Sequence, residues 1–207
     1  MRVELLAITP NAEKLIESAA RTAYLSFEMQ GEGTEKQLIR RLVRAGHHSV
    51  LEHACATVRI SGVSRACTHQ LVRHRLCSYT QQSQRYVDES RFRYVVPGSI
   101  ESIPESKAIF STVARAAQGA YAEMLSLGIP REDARYLLPN ATETEIVVTA
   151  NLRQWRHMIE LRGSAAAQWE IRSVVIEILR ILKEHAPTVF EDFAINSEGD
   201  VVTRIVP

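Results

Sequence analysis

Two hydrophobic rhythms alternate along the chain. Val3–Ile8, Ala54–Ile60 and Thr142–Ala150 alternate or run β-branched, and each predicts a strand. Phe92–Val96, ended by Pro97, predicts a shorter strand, and Val201–Val206 a last one. Between them apolar residues return at steps of three and four. They predict helices from Pro10 to about Tyr24, from Thr34 to Gly46, and from Ser64 to near Arg73, then over Glu105–Leu127, Pro130–Leu138, Asn151–Leu161 and Ala165–His185. The punctuation fits. Thr9-Pro10 reads as a cap and a first-turn proline, Thr34-Glu35-Lys36-Gln37 as a capping box, and Ser64 as a further cap. Gly46 reads as a helix stop and Gly62 as a turn. Strands and helices intersperse without βαβ regularity. The expected fold is α+β, a mixed sheet flanked by helices, with residues 1–207 forming one domain.

Composition changes this picture in one respect. The net charge is +1 and 45% of residues are hydrophobic, so nothing global points to nucleic acid. No apolar run approaches membrane-spanning length, and Met1-Arg2-Val3-Glu4 enters a strand without a leader-like stretch. Cys55, Cys67 and Cys77 are odd in number and lack CxxC spacing, so they read as reduced thiols of a cytoplasmic protein. The charge is unevenly placed. Only Lys14, Lys36, Lys107 and Lys183 are lysines, and all other basic residues are arginine. Arg59, Arg65, Arg73, Arg75, Arg85, Arg91 and Arg93 cluster against just Asp88 and Glu89.

At the centre of that cluster lies the acid-free run Arg73-His74-Arg75-Leu76-Cys77-Ser78-Tyr79-Thr80-Gln81-Gln82-Ser83-Gln84-Arg85-Tyr86. Its guanidinium forks, hydroxyls and amides suit a phosphate-bearing ligand. No GxGxxG or Walker loop is present, so a nucleotide would not be held in the Rossmann or P-loop way. Gly46-His47-His48-Ser49-Val50-Leu51-Glu52-His53 lacks metal-ligand spacing and reads as a polar site wall, with no metal expected. Arg131, Arg156 and Arg172 read as solvated helix faces, and Trp155 and Trp169 as packing residues. Two further readings compete with a small-molecule site. One is an RNA- or DNA-binding module using the arginines of 59–93 with Tyr79, Tyr86 and Tyr94 as stacking platforms. The other is a purely structural oligomerisation protein.

The chain resembles the flavin-dependent thymidylate synthases. Arg73-His74-Arg75, Ser78, Ser83 and Arg85 match that family's signature. Gly46-His47, Glu52-His53, Gly62-Val63-Ser64-Arg65, Gln70, Ala134-Arg135, Leu138-Pro139, Asn151-Leu152-Arg153, Leu161-Arg162 and Ala167-Gln168-Trp169-Glu170 also match, in order along nearly the whole chain. Thr80-Gln81 departs from the Asn-Glu found in many members, and His157 stands where an amide is common.

The resemblance implies reductive methylation of dUMP to dTMP, with 5,10-methylenetetrahydrofolate as carbon donor and NADPH as hydride source through FAD. It implies Gln70, Arg73, Gln81, Gln82, Ser83, Gln84, Arg85, Arg135 and Arg162 at dUMP, with Arg85 and Arg135 on the phosphate. Arg162 is then the catalytic residue, a cation against the uracil. Ser49, Glu52, Arg73, His74, Arg75, Gln81, Asn151, Arg153 and His157 are implied around FAD, with His47 on the folate side. The family is homotetrameric. A domain of this size would have difficulty enclosing all three ligands alone, so sites shared between subunits are expected.

Overall fold

The computed structural model describes residues 1–205. Strand β1 (Arg2–Ile8) leads to helices α1 (Ala12–Thr22) and α2 (Thr34–Arg44), then through a 3-10 turn (His48–His53) to β2 (Cys55–Ser64). Helix α3 (Arg65–Leu71) and β3 (Ser78–Gln81) follow, then α4 (Gly98–Glu101), α5 (Pro104–Ser126), α6 (Arg131–Ala134) and a 3-10 turn (Arg135–Leu137). Next come β4 (Glu143–Asn151), α7 (Leu152–Arg162), α8 (Trp169–His185) and α9 (Pro187–Phe190), and last a ribbon of β5 (Phe193–Ile195) with β6 (Val202–Arg204).

The α+β expectation holds, but the expected mixed sheet is antiparallel in every described pairing, in the order β1-β2-β4-β3. Alternation in β2 and β4 turns Ala56, Val58, Ile60, Ile146, Val148 and Ala150 to the buried side. There they join one core with Leu152, Trp155 and Ile159 of α7 and Ile171, Val174, Val175 and Ile178 of α8. Trp155 donates its indole N–H to the Ala56 carbonyl at 3.1 Å, so it is a core residue as expected. The other sheet face is polar, with Thr57 hydrogen-bonded to Thr149 and Arg59 beside Glu145.

Several local signals act differently from their sequence reading. Thr9 does not cap α1; its hydroxyl bonds across the sheet end to the carbonyl and N–H of Cys55, and the helix begins after Asn11 at φ +50°. Thr34 is already helical, after Gly33 at φ +75°, and its hydroxyl binds Glu17 at 2.7 Å, so no capping box forms. Gly62 does not turn the chain. It forms a bulge at φ +71°, where a Cβ would lie 3.1 Å from the Met1 nitrogen, and β2 continues to Ser64. Gly46 does stop α2, with its own N–H on Val43 and that of His47 on Leu42.

Two strand assignments also shift. Phe92–Val96 runs beside the start of β4 but pairs only through an isolated bridge, Tyr94 to Thr142. The last expected strand is the short β6, paired with β5, which the sequence did not announce; Val206 lies outside the described residues. Helix α8 starts at Trp169 and not Ala165, because the Gln168 side chain accepts from the N–H groups of Glu170 and Ile171. Of the 23 residues of α5 only Ala114 and Tyr121 are buried, and Ile109 and Val113 stand exposed on it.

Candidate functional site

Where β4 passes into α7, Asn151 serves both elements. It pairs with Cys55 in the sheet, and its side chain accepts from the Gln154 N–H at 2.8 Å, capping the helix. Helix α7 then presents Arg153 and His157 one turn apart. Across from them the turn after α2 carries Glu52, whose carboxylate meets Arg153 at 2.5 Å. These side chains, with His48, Leu76, Gln154, Arg156 and Glu160, line a cavity of about 630 Å³. Four of the residues expected at FAD, Glu52, Asn151, Arg153 and His157, therefore line one cavity. Ser49 and His47 are exposed on the Glu52 side of the chain but do not line it.

Helix α7 ends at Arg162, beneath which the chain is tightly fitted. The Gly163 carbonyl accepts from the Val202 N–H at 2.8 Å. A Cβ on Gly163 would stand 2.6 Å from the Ile159 carbonyl oxygen and 2.7 Å from the Val202 side chain. Here glycine serves close approach, since its φ is an ordinary −83°. From this platform the Arg162 Nε donates to His74 Nε2 at 3.0 Å. His74 is 5% exposed and meets the His157 ring edge-on at 5.8 Å between centroids. Burial, helped by the charge of Arg162 and by His157, pushes the His74 imidazole down to about 4 from its usual 6.5. Through His157 the Arg162–His74 pair adjoins the large cavity. Arg73 and Arg75, on either side of His74, are exposed, with no ion-pair partner among the described residues.

The downstream half of the arginine-rich segment goes elsewhere. Strand β3 pairs Ser78 with Thr149 and Gln81 with Ile146, so the chain runs toward the far end of β4, and Gln82 bonds Glu145. Glu145 lies six positions before Asn151 along β4, about 20 Å at roughly 3.3 Å per residue. The Gln81 amide points to the hydroxyls of Thr68 and Thr144, away from the cavity of Arg153 and His157. Gln82 holds buried Glu89 at 2.9 Å and lines a different cavity beside Arg93 and Glu143. Gln84 and Arg135 line a third, of about 360 Å³, with Arg65, His69, Tyr136 and Asn140. Ser83 accepts from the Arg85 N–H, and Gln70 reaches back to the Ala66 carbonyl. Arg85 and Arg135, expected on one phosphate, each bond a different group of Glu132. Arg85 pairs with the Glu132 carboxylate at 2.9 Å, and Arg135 donates to the Glu132 carbonyl at 3.1 Å.

Some residues escaped sequence reasoning. Glu132 sits in a stretch of mixed charge that reads as solvated helix, and no local pattern marks it as the partner of Arg85. Arg156 is no solvated residue. It is 4% exposed, forks onto Asp192 at 2.6 and 2.7 Å, and lies over the Phe193 ring. Buried Glu170 matched the family pattern without a role. Its carboxylate accepts from the Ser64 N–H at 2.7 Å and the Ser64 hydroxyl at 2.6 Å, and that hydroxyl accepts from the Cys67 N–H, fixing the start of α3. Tyr79, one of the three tyrosines considered for base stacking, is half-buried, with its hydroxyl on the Leu71 and His74 carbonyls. Tyr94 packs against Phe92 and Phe110.

With this geometry in hand, the sequence matches the family model of the thymidylate synthase complementing protein over residues 4–188. The chain belongs to that family. Among curated relatives it is 44% identical over 200 residues to the flavin-dependent thymidylate synthase of Geobacter sulfurreducens, covering 93% of this chain and 86% of that protein. It is 45% identical over 207 residues to that of Mycobacterium sp. strain JLS, covering 90% and 82%, and 41% identical over 231 residues to that of Mycolicibacterium gilvum, covering 97% and 92%. As a thymidylate synthase complementing protein the chain is an enzyme of the methyltransferase kind. Among the described residues no helix is long and apolar enough to cross a membrane.

Proposed function

We propose that this chain methylates dUMP reductively to dTMP, taking carbon from 5,10-methylenetetrahydrofolate and the hydride of NADPH through FAD. The observation that carries the reading is the contact of Arg162 with His74. It sets the expected catalytic cation beside a cavity lined by Glu52, Asn151, Arg153 and His157. That cavity is of ligand-binding size, and the guanidinium, amide and imidazole groups of Arg153, Asn151 and His157 in its lining suit the polar parts of a flavin nucleotide. The bound flavin would supply the hydride chemistry. Ser49, Glu52, Arg73, His74, Arg75, Asn151, Arg153 and His157 would hold it. Gln81 is tied to Thr68 and Thr144 here, so for this residue we favour a role in supporting the β3 end over direct contact.

The nucleotide side rests on the family resemblance, and its two arginines suit a phosphate. Arg85 and Arg135 would grip the phosphate, which would replace the Glu132 carboxylate as partner of Arg85. Gln70, Arg73, Gln82, Ser83 and Gln84 would complete the wall, and His47 would face the folate. Arg162 would lie against the uracil, where a fixed cation favours the ionised N3 and makes C5 a better carbon nucleophile.

In one chain Glu52, Asn151, Arg153 and His157 line one cavity, Gln82 a second, and Gln84 with Arg135 a third. A homotetramer with shared sites would join them, and the exposed Ile109 and Val113 of α5 offer an apolar contact face. Three free cysteines suit a cytoplasmic protein. The test is product formation by purified protein, with light scattering on the same sample. NADPH oxidation should yield dTMP only when dUMP and methylenetetrahydrofolate are both present, and the active species should be larger than a monomer. Absence of dTMP with all components present contradicts the activity; a fully active monomer contradicts shared sites.

A further inference from the structure

An arginine that must act on a ligand faces two opposed needs. Its long stem has to be held in one orientation, which costs rotamer freedom. Yet the carboxylate that usually holds it also spends its charge. Arg85, Arg153 and Arg156 all take that usual solution, against Glu132, Glu52 and Asp192. Arg162 does not. Among the described residues it faces no carboxylate, and its Nε is held by the His74 imidazole at 3.0 Å. Only an unprotonated Nε2 can accept there, which assigns the ring proton to Nδ1. The acceptor is itself fixed. The His74 N–H closes on the Leu71 carbonyl at 3.2 Å, its carbonyl accepts from the Tyr79 hydroxyl at 2.9 Å, and its ring abuts His157.

We propose that His74 is a positioning residue for Arg162: its neutral imidazole sets the direction of the guanidinium and leaves the full positive charge for the nucleotide. Burial keeps the imidazole neutral, so the acceptor persists at working pH. The two ends of the device come from elements built separately. Gly163 and Val202 fix the backbone of Arg162, while α3 and β3 fix His74. This rests on dUMP being the substrate.

The test is a double-mutant cycle read by calorimetric titration of flavin-loaded protein with dUMP. His74→Phe keeps a ring and removes the acceptor. It should weaken dUMP binding by about tenfold, the scale of one hydrogen bond to a charged group. In the Arg162→Ala background the same change should have no further effect. His74→Gln keeps an acceptor oxygen and should stay within about threefold of wild type; it also serves if the Phe variant does not fold. Equal losses in both backgrounds, or a loss of tenfold or more in the Gln variant, overturn the inference. If the wild-type protein binds no dUMP, the substrate reading itself fails, which is a separate result.

Discussion

Replacing Arg162 by alanine is expected to lower dUMP-dependent turnover by roughly two to three orders of magnitude, the cost of removing one preorganised charge stabiliser. The flavin is expected to stay bound, since Glu52, Asn151, Arg153 and His157 line their cavity without Arg162. The size of the effect follows from fixation. Arg162 ends α7, Gly163 leaves no room beneath it for a side chain, and His74 holds its Nε. A cation held this way needs no reorganisation when charge develops on the ligand. Arg162→Lys keeps the charge but loses the planar fork and the Nε donor, so it should recover only part of the rate. Steady-state dTMP formation, with flavin absorbance after gel filtration, checks both variants. Unchanged turnover in Arg162→Ala removes this residue from the mechanism.

The second large effect is on stability. Glu170→Ala should cost about 3 kcal/mol, because it leaves the buried Ser64 N–H and hydroxyl without their acceptor. Ser64 in turn caps α3 through the Cys67 N–H, and α3 runs into Arg73-His74-Arg75. Loss of the carboxylate should therefore loosen the segment that carries His74 as well as the core. Glu170→Gln retains one acceptor oxygen and should lose markedly less. Urea denaturation of both variants measures this. A loss below about 1 kcal/mol for alanine would mean that water replaces the carboxylate without penalty.

These residues also show what the sequence carried. Alternation in Ala54–Ile60 and Thr142–Ala150 located β2 and β4, because burial on one sheet face is what a period of two reports. Gly46 and Ser64 were legible because a positive-φ stop and a hydroxyl cap are local. Strand β3 was not. Ser78–Gln81 is polar, and it is a strand because the edge of β4 is free and the Tyr79 hydroxyl anchors it to α3. Phe92–Val96 shows the converse: it has a strand-like composition but pairs only by a single bridge. Arg156 looked solvated since its partner Asp192 lies thirty-six residues away. Of the candidate site, the sequence offered residue types and their order. Their division among separate cavities depends on the register of β3 against β4, which no local pattern encodes.

In the proposed function flavin and dUMP meet in one composite site. Its most direct test is the visible absorption spectrum of the purified, FAD-loaded protein titrated with dUMP. FAD is expected to remain with the protein through gel filtration, and dUMP to shift the flavin bands saturably. Protein that takes up no flavin, or whose flavin bands do not move when calorimetry shows dUMP saturating, would contradict it.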